Sequence, residues 1–95
     1  MNTILWTIEA KETYDNIVDY LNLNWGFDTA SKFMEKVSTI INNLKQHIYL
    51  CPPSHNKPNF RRCTVNKQVS MVYQVIGNAI FIVEFFDNRS NNDYT

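Results

Sequence analysis

Near the N-terminus, Ile4, Trp6 and Ile8 fall on one face of residues 3–8, the two-residue period of a short strand. The period then lengthens. Tyr14, Ile17, Val18 and Leu21 recur at the spacing of an amphipathic helix, while Glu12, Asp15, Asn16 and Asp19 take the opposite side. Trp25-Gly26 ends this helix, glycine being the residue that leaves a helix in a left-handed conformation without strain, and Trp25 itself, like Trp6, Phe33, Tyr73 and Phe81, reads as core rather than site. Asp28 is then placed to cap a second helix, and Ala30, Phe33, Val37, Ile40, Ile41, Leu44 and Ile48 form a long apolar stripe that Pro52-Pro53 terminates. Two such helices, so briefly connected, are expected to pack as an antiparallel hairpin.

From Cys51 to Asn59 the pattern vanishes and three prolines appear, so this stretch reads as a loop. Three strand candidates follow. Phe60 to Val65 is the weakest, whereas Val69 to Ile76 and Ala79 to Phe86 are rich in β-branched and aromatic residues. Gly77-Asn78 between the last two is the two-residue connection of a type II′ hairpin. The order is β-α-α-β-β-β: an α+β fold with a helical hairpin laid on a small antiparallel sheet, and a single domain over residues 1–95. The strand from Ala79 is almost wholly apolar and should lie at the centre of the sheet. One sheet face is left for a partner to cover, since contiguous exposed apolar surface marks interaction sites.

Composition removes several classes. No apolar run approaches the roughly 18 residues of a membrane span, and no basic segment followed by an apolar one marks a signal peptide, so no membrane partner is expected. Two cysteines, Cys51 and Cys63, are too few for a disulfide framework and lack C-x-x-C spacing; they read as ordinary core or surface residues, and a reduced, cytoplasmic home is the simplest. Together with His47 and His55 they straddle a helix end and a proline loop, which is not zinc spacing, so no metal site and no cofactor are expected. Gly26 and Gly77 build no phosphate loop.

The net charge of zero hides two unlike halves. Residues 1–44 hold six acidic side chains against three basic, a net of −3, and residues 45–95 hold the reverse, a net of +3. Either the folded molecule has a basic side suited to an anionic partner, or the helices carry acids and the strands bases as solvated faces. Lys57, Arg61, Arg62 and Lys67, with Arg89 at the end of the last strand, are the candidate binding set, because arginine's planar fork matches phosphate.

Trp6 to Ala10 leading into Ile17-Val18-Asp19-Tyr20-Leu21, then Ala30-Ser31-Lys32-Phe33, Val72-Tyr73-Gln74-Val75 and Phe85-Phe86-Asp87-Asn88-Arg89, resembles the RelE/ParE superfamily of bacterial type II toxins over nearly the whole chain. The resemblance implies a growth-inhibiting, plasmid-stabilising toxin neutralised by a cognate antitoxin that wraps the helical hairpin and sheet. ParE-like members poison DNA gyrase by binding it. RelE-like members are metal-independent endoribonucleases that cut mRNA on the ribosome, using sheet cations and often a terminal tyrosine. In that second case Arg89, Lys67 and Tyr94 would be catalytic, with Arg62 assisting. Ser70 stands where RelE-type members often have an arginine, and the neutral net charge departs from the basic character of ribosome-directed members. The ParE-like expectation therefore leads, ahead of the ribonuclease and of a family member that has lost toxicity and only binds its antitoxin.

Overall fold

The computed structural model describes residues 2–90 and Tyr94. Its elements are β1 (Thr3–Trp6), α1 (Ile8–Trp25), α2 (Phe27–Leu44), β2 (Arg61–Thr64), β3 (Val69–Ile76) and β4 (Ala79–Asp87). The sheet order is β1-β4-β3-β2, which puts the apolar Ala79 strand at the centre, as its composition requires. β2, β3 and β4 are antiparallel, but β1 runs parallel to β4, pairing Thr3 with Ala79 through Trp6 with Ile82, so the sheet is mixed. The helical hairpin intervenes between β1 and the rest of the sheet. It is long enough to return the chain in the direction that a parallel pair needs.

The β3–β4 turn has Gly77 at φ 61°, the positive value that the first central position of a type II′ turn demands. Pairing slips by one residue between Val72 and Tyr73, leaving Val83 as an extra residue in β4. β1 stops at Trp6, so that part of β4 loses its neighbour, and α1 supplies the missing bonds. The Thr7 hydroxyl donates to the Val83 carbonyl at 2.9 Å and accepts from the Ala10 amide at 3.0 Å, capping the helix. The Thr13 hydroxyl accepts from the Phe85 amide at 3.0 Å. Bulge and helix start satisfy each other's backbone groups.

The core lies between the hairpin and one sheet face: Ala10, Phe33, Val37 and Leu44 from the helices meet Met71, Tyr73, Ile80, Ile82 and Phe85. Trp6, Tyr14, Phe33 and Phe85 form an aromatic cluster, Trp6 stacking on Phe85 at 5.6 Å between ring centres. Trp6 is nonetheless 40 % exposed, and Trp25, expected in the core, is 68 % exposed at the tip of the hairpin beside Phe27 and Leu23. The N-cap of α2 is Gly26 (φ 93°) rather than Asp28, which falls within the first turn, where its charge suits the helix dipole. α2 ends at Leu44, earlier than its apolar stripe. Ile48 still packs on the core because the chain turns back there, its carbonyl accepting from the buried Tyr73 hydroxyl at 2.8 Å. Burial pushes the Tyr73 phenol above its ordinary pKa. Cys51 and Cys63, read from the sequence as ordinary residues, are joined in a disulfide that ties the proline loop to β2. No helix among the described residues is long and apolar enough to cross a membrane.

Candidate functional site

Residues that pair across a sheet share a face. Cys63, Met71 and Phe85 register with one another on the helix side, so Arg62, Ser70 and Phe86 stand on the open side. Ser70, small and fully buried, leaves room above it for a long neighbour. The Arg62 guanidinium fills that space, donating from Nε to the Ser70 hydroxyl at 3.0 Å and from Nη2 to the Asn88 side-chain oxygen at 3.1 Å, with its Cζ 5.1 Å from the Phe86 ring centre. Ser70 also donates to that Asn88 oxygen. The Asn88 amide nitrogen donates to the carbonyls of Asn66 at 3.2 Å and Lys67 at 3.0 Å. Asn88 therefore locks the end of β4 to the β2–β3 turn, where the Asn66 side chain already accepts from the Gln68 and Val69 amides.

Beside this network lies an aromatic cluster. The Tyr94 ring is 6.4 Å from Phe86, nearly parallel, and 5.3 Å from Phe60, edge-on. The Lys57 ammonium sits 5.4 Å from the Tyr94 ring centre, and the Ser54 hydroxyl donates to the Tyr94 carbonyl at 2.7 Å. Lys57, Arg62 and Tyr94 thus share one face with Phe60 and the buried Phe86, a cationic surface suited to anionic groups.

The other nominated residues lie elsewhere. Arg61 registers with Tyr73 on the helix side, where Nη1 donates to the Cys51 carbonyl at 2.6 Å and the guanidinium covers Tyr49 at 4.6 Å. Adjacent strand residues point to opposite faces, so Arg61 and Arg62 never act side by side. Arg89, 81 % exposed, closes on Asp87 of its own turn at 2.9 Å, and that guanidinium holds the Asp87 carboxyl down to about 2. Lys67 contributes its carbonyl to the Asn88 clamp. Among the described residues no three metal-ligating side chains are grouped. A groove of about 450 Å³ between α2 and β2, flanked by Lys36, Ile40 and Thr64, lies beside the sheet edge.

Sequence reasoning missed Asn88 and Ser70 as structural partners. Asn88 was visible within Phe85-Phe86-Asp87-Asn88-Arg89, but its charged neighbours drew the chemical reading. Ser70 showed only as the lack of an arginine, whereas its small side chain is what lets Arg62 lie across β3.

The chain resembles a solved chromosomal ParDE toxin–antitoxin system from P. aeruginosa with a TM-score of 0.76, 22 % identity, and coverage of 92 % of this chain and 96 % of that one. It also resembles YafQ from E. coli (TM-score 0.63, 12 % identity, coverage 93 % and 94 %). A third likeness is to the YoeB–YefM complex from Staphylococcus aureus (TM-score 0.60, 17 % identity, coverage 90 % and 95 %). At those identities the likeness speaks for the fold. A comparison with curated proteins gives no match. Residues 4–92 match the family described as ParE toxin of the type II toxin-antitoxin system, parDE, and the chain belongs to that family.

Proposed function

We propose that this chain is a toxin that arrests growth by binding DNA gyrase in the cytoplasm, and that a cognate antitoxin silences it. The observation that carries the gyrase reading is the dispersal of the cations that RNA cleavage would need. A phosphoryl-transfer site requires a proton acceptor and at least two cations within a few ångströms of one phosphate. Here Arg61 faces the helix side, Arg89 pairs with Asp87 at the exposed end of β4, and Arg62 is held across β3 by two of its five N–H donors, on Ser70 and Asn88, so the three arginines do not converge on one point. Such cations serve as contact groups: Lys57, Arg62 and Arg89 would meet the target, while Arg61 holds the loop. The antitoxin reading draws on family membership and on the exposed Tyr20, Leu23, Trp25 and Phe27 at the end of the hairpin, apolar surface that a partner segment can cover.

The ribonuclease remains the second reading because Lys57, Arg62 and Tyr94 do meet on the open face. Purified chain added to gyrase and relaxed plasmid is expected to block supercoiling, while mRNA on translating ribosomes with equal chain stays uncut. Cut mRNA with unhindered supercoiling would reverse the order of the two readings.

A further inference from the structure

The Cys51–Cys63 disulfide has no part in target binding as described, yet it encloses much of the binding face. It closes residues 51–63 into a ring that carries Lys57, Arg61 and Arg62, together with Ser54 and Phe60, which grip Tyr94. The two ends of the bond are held differently. Cys63 lies within β2 in register with Met71 and is fixed by the sheet. Cys51 belongs to a loop, where it is held by burial at the margin of the core and by a few polar bonds: its amide to the Tyr73 hydroxyl at 3.3 Å, its carbonyl to Arg61, and the adjacent Pro52 carbonyl accepting from the Arg62 amide at 3.0 Å. The ring's internal ties include the Ser54 amide to the Phe60 carbonyl, the Phe60 amide to the Lys57 carbonyl, and the bridge between Pro53 and Arg61.

We infer that Cys51 and Cys63 form a reversible redox latch on the cation-bearing segment. A dithiol reductant opens it. Its thiolate attacks the Cys51 sulfur, the residue with 9 % exposure against 2 % for Cys63, and Cys63 leaves as a thiolate that takes up a proton. The reductant's second thiol then displaces Cys51 and leaves as the reductant's own disulfide, so two electrons and two protons reach the protein. Oxidised glutathione reverses the change, two glutathione thiols being released as the latch closes. In a reducing compartment the open dithiol is the resting state, and oxidation stiffens the face that presents Lys57 and Arg62. The inference stands whichever target the toxin meets.

The test uses the whole ¹⁵N-labelled chain in glutathione buffers stepped from reducing to oxidising, with thiols counted by alkylation and mass spectrometry. Both cysteines are expected to convert together. Backbone order parameters over residues 54–60 should fall from about 0.85 when oxidised to below about 0.6 when reduced, with α2 and β3 unchanged. The Cys51→Ala/Cys63→Ala variant should show the low values in every buffer. Two free thiols in the oxidising buffer would overturn the inference, as would equal order parameters in the two states. Both readings come from the wild-type chain, so they decide the matter even where the variant fails to fold.

Discussion

The two faces of the β3–β4 ribbon share one backbone and are held in opposite ways. On the helix side, Met71, Tyr73, Ile80, Ile82 and Phe85 are buried against the helical hairpin, and apart from the Tyr73 hydroxyl, which bonds the Ile48 and Cys51 backbone, their contribution is area removed from water. On the open side, Arg62, Ser70 and Asn88 make directed bonds, and Phe86 lies under a cation and beside Tyr94. A non-directional face tolerates changes of partner so long as volume is kept, whereas a directed network fixes where each donor points. The helix side therefore sets stability, and the open side sets the arrangement of charge that a partner meets.

Breaking the helix side should have the largest effect. Phe85→Ala removes the ring that joins Trp6, Tyr14 and Phe33, and about 3–5 kcal/mol of unfolding free energy should be lost in a urea titration. A loss below about 1 kcal/mol would mean that the aromatic cluster is not the core's centre. Asn88→Ala comes next. It strips the acceptor from Arg62 and Ser70 and the donor from two turn carbonyls, so about 1–3 kcal/mol should go. Because Arg62 is released, inhibition of the target should change more than stability does. An unchanged inhibition curve would show that the network is merely structural.

The two faces also differ in how far the sequence discloses them. Periodicity is a property of burial, so the long apolar stripe of α2, the largely apolar β4 and the Gly77-Asn78 turn could be read directly. The parallel pairing of β1 could not, since alternation along residues 3–8 says which side is apolar and nothing about which strand lies alongside. Trp25 misled for a related reason: large apolar residues usually mark core, and this one sits at a hairpin tip. On the open face the residue types were visible but not their company. That Arg61 and Arg62 point apart follows from strand geometry, yet it depends on β2 being a strand there, the weakest of the strand assignments. The disulfide was hidden because spacing along the chain does not give the separation of two sulfurs.

The smallest effects belong to the exposed end of β4. Arg89→Ala should leave the urea midpoint where it is, because a pair this exposed adds little, while weakening growth inhibition at equal soluble expression. Full toxicity in that variant would remove Arg89 from the contact set. Asp87 has its carboxyl lowered from 3.8 to about 2 by the Arg89 hydrogen bonds, so the turn it stabilises is at full strength above the ordinary carboxylate value. That contribution is lost as pH falls from there through about 2. Side-chain carboxyl ¹³C shifts of Asp87 followed down to pH 1.5 check it, and a midpoint near 3.8 would show that the pair does not form in solution.

The most direct test of the gyrase reading is made in living cells. Cells are induced to express the chain without its antitoxin and pulse-labelled within minutes for DNA and for protein synthesis. The account predicts that DNA synthesis halts first, with filamentation and broken chromosomes, while protein synthesis continues. A prompt stop in protein synthesis with cleaved transcripts would contradict it and put Lys57, Arg62 and Tyr94 at the centre of a ribonuclease.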